Sequence, residues 1–175
     1  MKKLTAFLLV CSLASLTLAQ DAASKKSAAA ADSKAPSSIA AAEAKVTKPM
    51  VVKDGVLAQP ERTDLADSGK AVFEFTVAKD GDYEVYALVS APDDDNNSFY
   101  VNIDTAPKDD PLMIWDIDHT NGFEERVVNW RGNGEAGSDE FNPKVFKLTA
   151  GAHRLFLAGR EPAQLRSVSI RPAKK

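Results

Sequence analysis

Residues 81–104, GDYEVYALVSAPDDDNNSFYVNID, decide the fold of this chain. Apolar and polar side chains alternate over residues 83–90, and this period of two predicts a β-strand with one buried face. The alternation resumes over residues 99–103 after a turn-rich acidic break at 92–97. We expect the two strands to pair as the centre of an antiparallel sheet.

The chain beyond residue 47 continues in the same way. Short apolar or alternating runs are separated by turns rich in Gly, Pro and Asp. Further strands are predicted at 50–52, 56–59, 70–77, 112–117, 125–130, 145–148, 153–158 and 165–170. Eight to ten short strands without a convincing helix predict an all-β fold, a β-sandwich of two antiparallel sheets.

The N-terminal residues 1–19 have the pattern of a signal peptide. Lys2 and Lys3 precede an apolar run, and Ala19 supplies a small residue at the cleavage position, so we expect removal before Gln20. A retained membrane anchor is the alternative, disfavoured because the run is short and interrupted by Ser and Thr. The sequence therefore predicts a secreted or periplasmic protein with no membrane span in the mature chain.

Residues 20–46 are rich in Ala, Ser and Lys, with Ile39 as their one large aliphatic residue before Val46. Such a segment buries too little apolar surface to offset the entropy of ordering it. We therefore expect a flexible linker over 20–46 and a folded domain over 47–175.

Composition excludes several classes of function. The chain has 22 basic and 25 acidic residues with no basic run, which argues against a nucleic-acid partner. Its one cysteine, Cys11, lies in the predicted signal, so the mature chain is expected to hold no disulfide or thiolate metal site. A monomer is favoured.

The sequence carries no signature of catalysis. It lacks a nucleophile elbow, a phosphate loop and a paired-histidine motif. A glycosidase needs two carboxylates about 5–10 Å apart in a cleft, which a domain of this size rarely provides. We expect a protein that is not an enzyme.

Four segments, taken in order, carry a family resemblance: AVFEFTVAKDGDYEVYALVSAP (71–92), NSFYVNID (97–104), FKLTAGAHRLFLAGRE (146–161) and LRSVSI (165–170). Their order and spacing resemble carbohydrate-binding modules of families 6 and 35. The resemblance implies a jelly-roll β-sandwich of the galactose-binding-domain-like kind. It also implies binding of a polysaccharide or glycan without cleavage, often beside a secreted enzyme.

The chain departs from that family at the start of the last strand. The family often has an aspartate after the leucine, which helps to hold a structural calcium, whereas Arg166 follows Leu165 here. We therefore disfavour the calcium and expect no cofactor. The family often has a sugar-binding Asn before that leucine, and the resemblance assigns this role to Gln164, whose amide offers similar groups.

The location of the binding loops depends on how residues 125–148 are arranged. If they form one strand interrupted by an insertion at 131–143, then loops 92–97, 118–123 and 159–164 share one end of the sandwich. We favour this arrangement because the resembling family has an aromatic residue after the loop glycine, matched here by Phe123. The candidate glycan-binding residues at that end are Asn97, Asn121, Phe123 and Gln164, with Trp115 below them.

If the insertion instead joins two separate strands, the last loop moves to the other rim and meets Trp130. Either tryptophan also suits a core or sheet-edge position. The rival function is a protein-interaction or structural module that has lost sugar binding, and Arg166 supports it. Asp93, Asp95 and Asn97 have a spacing similar to a calcium loop, but a solvated acidic loop is the better interpretation.

Overall fold

A computed structural model of the protein describes residues 38–131 and 142–174, all within one compact unit. The described part contains twelve strands and two short 3₁₀ helices, Ala41–Glu43 and Pro111–Met113. The strands are β1 (Ser38–Ala40), β2 (Lys45–Thr47), β3 (Val51–Lys53), β4 (Val56–Ala58), β5 (Lys70–Val77), β6 (Gly81–Ser90), β7 (Ser98–Ile103), β8 (Ile114–Asp116), β9 (Glu124–Val127), β10 (Phe146–Leu148), β11 (Gly151–Gly159) and β12 (Gln164–Pro172).

The strands form two antiparallel sheets, which confirms the predicted β-sandwich. One sheet has the order β10-β6-β12-β4-β3, with β1 also paired to β12 and β9 also paired to β6. The other has the order β2-β5-β11-β7-β8. No helix of the described residues has the length and apolar character needed to cross a membrane.

The predicted pairing of the two strands in residues 81–104 is wrong. β6 pairs with β12, β9 and β10, whereas β7 pairs with β11 and β8 in the other sheet. Residues 91–97 therefore cross between the sheets, which stand about 10 Å apart in a sandwich. The alternation identified the core-facing residues of both strands, although Ser98 and Tyr100 on the other face of β7 are buried as well. Both sheets face the same core, so the pattern is identical in either arrangement.

The core lies between the two sheets. Val85, Val89 and Leu165 from the first sheet are almost fully buried, as are Phe73 and Leu155 from the second. Each such side chain stabilises the fold by about 1.5–3 kcal/mol relative to exposure.

The folded domain begins earlier than the sequence predicts. Ser38 pairs with Ser169 on β12, Ile39 packs against the core, and Ala41 is 0% exposed. β2 adds a further strand to the second sheet against β5. The predicted linker is therefore wrong from Ser38 onward. Backbone pairing with the two sheets provides stabilisation that the few apolar side chains of this segment do not provide by themselves. The predicted signal peptide and the remainder of the linker lie outside the described residues.

The strand beside β6 is interrupted, as the favoured arrangement predicts. β9 pairs with residues 86–89 of β6, and β10 pairs with residues 81–83 of the same edge. Between them, the Val128 N–H donates to the Val85 carbonyl and the Lys144 N–H donates to the Val128 carbonyl over 2.7 Å. The chain thus leaves and rejoins one edge, and most of the predicted insertion, residues 132–141, lies outside the described residues.

Candidate functional site

Three loops meet at one end of the sandwich, which we call the loop rim: residues 91–97, 117–123 and 160–163. The Thr120 N–H donates to the Ala91 carbonyl, and the Thr120 hydroxyl accepts from the Ala91 N–H over 2.8 Å. The Glu161 N–H donates to the Ser98 carbonyl over 3.3 Å. Thus the loops predicted to share one end do so, and the alternative arrangement is wrong.

A buried carboxylate joins two of these loops. Glu161, whose side chain is 3% exposed, accepts hydrogen bonds from the Ser98 hydroxyl at 2.5 Å and the Asn97 N–H at 3.4 Å. Its charge is balanced by the Arg160 guanidinium at 2.7 Å. Because a buried carboxylate is costly unless it is paired and hydrogen-bonded, this network fixes the start of β7 against the last loop.

The flank of the sandwich carries a second ion pair. The Arg131 guanidinium donates two bonds of 2.6 Å to the Asp116 carboxylate, and these bonds raise the pKa of Arg131. Trp130, which precedes it, is half-buried and belongs to the segment that leaves the sheet after Val128. Trp130 therefore adjoins the Arg131–Asp116 ion pair, and its contribution to a binding surface stays a prediction.

Trp115 is not available to a ligand. It is 1% exposed, belongs to the main core cluster, and packs against Phe99 with the ring centroids 6.4 Å apart. The prediction that it contributes to a binding surface is therefore wrong. The physical reason is the crossing of the chain between sheets, which makes β8 an edge strand whose Trp115 side chain points into the core.

Phe123, which precedes β9, and Gln164, which begins β12, lie at the same end of two strands that flank β6. Gln164 pairs with Ser90 on β6, and Glu124, the next residue after Phe123, pairs with Val89 on the other side of β6. Gln164 is exposed and Phe123 is half-buried. The Arg166 guanidinium lies 4.0 Å from the centroid of the Phe123 ring. An amide, an aromatic ring and a cation thus share the outer surface of the first sheet next to the loop rim.

Asn97 contributes to a separate polar depression of about 240 Å³ on the rim. It is lined by Asp94, Asn97, Asp116, Ile117, Asp118 and His119. The His119 Nε2 atom lies 2.9 Å from an oxygen of Asp94. The lining offers hydrogen-bonding groups to a ligand but contains no Phe, Tyr or Trp side chain.

Asn121 is exposed on the neighbouring loop, where its backbone N–H donates to the Glu124 carboxylate over 2.8 Å. This bond, followed by the contact with Arg126, lowers the pKa of Glu124. The side-chain amide of Asn121 makes no hydrogen bond within the described residues and lies two residues from the Phe123 ring. By strand register, Phe123 and Gln164 lie on opposite sides of the Ser90 end of β6, with Asn121 two residues before Phe123, whereas Asn97 lines the depression.

The geometry gives no support for a cation site. Among the described residues, no group of three or more His, Cys, Asp or Glu side chains is arranged to hold a metal ion. The Asp93 carboxylate accepts from the Asp95 N–H and the Asn96 amide, so it shapes its own loop. At the position where the resembling family often has an aspartate, Arg166 provides a cation rather than an oxygen ligand.

Sequence reasoning missed the contact between Arg166 and Phe123. The two residues are 43 positions apart in the chain. They meet because β12 and β9 pair with the two sides of the same strand, β6. In the sequence, Arg166 after Leu165 is a departure from the pattern of the resembling family, and this departure is the signal that points to the position.

No protein-family model matches the chain, and no curated protein matches it. Among solved structures, a family 35 carbohydrate-binding module from Clostridium thermocellum superimposes with a TM-score of 0.54 at 12% identity, covering 80% of this chain and 100% of the module. The C-terminal family 6 module of LamC, a marine laminarinase from Zobellia galactanivorans, gives a TM-score of 0.50 at 11% identity and coverages of 78% and 98%. The fold is that of a family 6/35 carbohydrate-binding module.

This module fold also occurs as part of longer matched proteins. A GH26-CBM35 β-(1,4)-mannanase from Podospora anserina matches with a TM-score of 0.54 at 13% identity over 80% of this chain. The chain spans 28% of the length of that mannanase. At these identities the likeness concerns the fold, and the binding chemistry has to be argued from the residues of this chain.

Proposed function

We propose that this protein is an exported, non-catalytic glycan-binding module. The observation that carries the proposal is the strand register: Gln164 and the residue after Phe123 pair with adjacent residues of β6 near the converging loops, and Asn121 lies two positions before Phe123. An aromatic ring flanked by free amides is the combination that a pyranose requires, because a sugar has an apolar face and a rim of hydroxyl groups.

The expected affinity is modest. Covering the apolar face of a sugar with one ring gives about 1.5–3 kcal/mol. Each net hydrogen bond from an amide adds about 1 kcal/mol. Before the cost of association is counted, one ring and two amides correspond to a dissociation constant of about a millimolar, and that cost weakens the binding further. Such weak binding suits a domain that acts together with other sites on the same polymer.

The solved structures support a binding role over a catalytic one. The chain covers nearly the whole of two structures that are named as carbohydrate-binding modules, but 28% of the mannanase. The correspondence is therefore with a module rather than with a complete hydrolase.

A glycan array followed by affinity electrophoresis tests the proposal. We expect Phe123→Ala and Gln164→Ala to reduce retardation by the bound polysaccharide by tenfold or more, and Asn97→Ala to show whether the depression takes part. Lys147→Ala, an exposed change on β10 where it pairs with the start of β6, far from the loop rim, is the matched control. Unchanged retardation in all of the rim variants overturns the site, and no signal from any glycan overturns the function.

A second candidate is a protein-interaction or structural module. It is favoured by the burial of Trp115 and by the guanidinium on Phe123, which leave no bare ring among the predicted rim aromatics. Leu112 and Val145 are 50% and 49% exposed on the flank, where Lys144 donates to the Leu112 carbonyl. Self-association in analytical ultracentrifugation that Leu112→Ser abolishes, together with a silent glycan array, would support this candidate.

A further inference from the structure

The Phe123 ring carries the most closely stacked guanidinium described in the protein. The Arg166 guanidinium carbon is 4.0 Å from the ring centroid, against 4.2 Å for Arg171 on Tyr86 and 5.4 Å for Arg154 on Phe156. A separation of 4.0 Å is van der Waals contact. No sugar ring fits between the two groups.

A β-bulge directs Arg166 toward this ring. The register of β12 against β6 shifts between Leu165, which pairs with Val89, and Ser167, which pairs with Leu88. Arg166 is the extra residue at that shift, and bulges characteristically re-aim a side chain. Leu165 is buried in the core, whereas Arg166 is exposed on the outer surface.

The ring is the one partner that the described residues offer to this guanidinium. Arg160 is held by Glu161, and Arg171 by Glu125. Within residues 38–131 and 142–174, no hydrogen bond or salt bridge is found for the Arg166 side chain. Its position over Phe123 therefore depends on the stacking contact and on the direction set by the bulge.

From this geometry we infer that Arg166 is a specificity-determining residue that covers the Phe123 ring against uncharged sugars. The inference deepens the proposed function and rests on it. A neutral pyranose must displace the guanidinium before it can stack on Phe123. The sugar therefore binds more weakly than it would to a bare ring, because part of the binding free energy is used to break the cation–π contact. An exposed contact of this kind raises the apparent dissociation constant about two- to fivefold.

The test measures binding to uncharged polysaccharides by affinity electrophoresis and calorimetry. We expect Arg166→Ala to bind two- to fivefold more tightly than the wild-type protein. The double variant with Arg166→Ala and Phe123→Ala should lose this gain entirely. Arg154→Ala removes an arginine from a phenylalanine on the other sheet and is the matched control, expected to change nothing.

A measurement without glycan checks the contact itself. In the NMR spectrum, the side-chain protons of Arg166 should carry ring-current shifts that disappear in Phe123→Leu. Absence of those shifts in the wild-type protein overturns the inference.

The remaining outcomes separate the two proposals. Weaker binding by Arg166→Ala means that Arg166 contacts the ligand directly, and this overturns the covering role while the binding function stands. Equal affinity of the wild-type protein and the Arg166→Ala variant also overturns the covering role while the binding function stands. If neither protein binds any glycan, both the inference and the proposed function are wrong.

Discussion

His153 and Asp104 are joined at the end of the sandwich opposite the loop rim, with 2.7 Å between the His153 Nδ1 atom and a carboxylate oxygen of Asp104. The other ring nitrogen lies 2.7 Å from the Thr149 carbonyl. Because a carbonyl and a carboxylate both accept hydrogen bonds, the geometry fits an imidazolium that donates from both nitrogens. The same carboxylate accepts from the Arg154 N–H and holds Asp104 at a positive φ of 62°.

This arrangement predicts a loss of stability at alkaline pH. The Thr149 carbonyl first, and the Asp104 carboxylate second, raise the pKa of His153. A histidine with a raised folded-state pKa contributes stability fully below its unfolded pKa of about 6.5, and this stability is lost as pH rises through the folded value. Urea unfolding should give a smaller free energy of unfolding at pH 9 than at pH 6.

The control for that measurement is His153→Gln, which keeps hydrogen-bonding capacity without the titration. The other charged side chains around the adjoining cleft are Glu74 and Arg154, and the variant changes neither of them. An equal pH dependence in the variant and the wild-type protein contradicts the assignment to His153.

Burial of Trp115 predicts a large difference between the two tryptophans. Trp115→Ala removes a ring from the core and should reduce the free energy of unfolding by about 3–5 kcal/mol. Trp130→Ala should cost considerably less, because its side chain is half-buried. Urea denaturation of both variants measures this, and a similar loss in each would contradict the burial of Trp115.

The buried carboxylate of Glu161 predicts coupling between two loops. Glu161→Gln removes the closer of the two carboxylates beside the Arg160 guanidinium, the other being Asp116 at 3.9 Å, and should cost about 1–3 kcal/mol of stability. Because Glu161 accepts the Asn97 N–H, amide hydrogen exchange at Asn97 should accelerate in the variant. Glu61→Gln, an exposed change, is the control and should leave both quantities unchanged.

The placement of residues 38–47 predicts sensitivity where the sequence indicates a linker. Ala41→Asp puts an unpaired charge at a position that is 0% exposed and should destabilise the domain by about 3 kcal/mol or more. Ala42→Asp, one residue further on and exposed, should have little effect. Equal thermal stability of the two variants would show that this segment does not pack as described.

Prediction from the sequence succeeded where the information is local. Residues 70–77 were predicted as a strand with the bounds that β5 has, and residues 83–90 with the buried face that β6 has. On β11, His153 alternates with Leu155 and Leu157, and both of its ring nitrogens have hydrogen-bond partners. Side-chain periodicity reports burial directly, so it locates strands and their inner faces.

Prediction of the site was weaker because the site is made of non-local contacts. The meeting of three loops at one rim was expected, since strand direction alone decides it once the interrupted strand beside β6 is assumed. The burial of Trp115 was not expected, because a strand of three residues such as β8 is too short to show from its alternation which side faces the core.

By itself the sequence determined that this chain forms short strands with one apolar face each, and therefore a two-layer β-sandwich. Tertiary structure alone decided that β6 and β7 belong to different sheets, that residues 38–47 pair with the domain, and that Arg166 lies on Phe123. The physical reason is that alternation fixes the side a residue faces, whereas the choice of neighbour depends on the packing of strands distant in the chain.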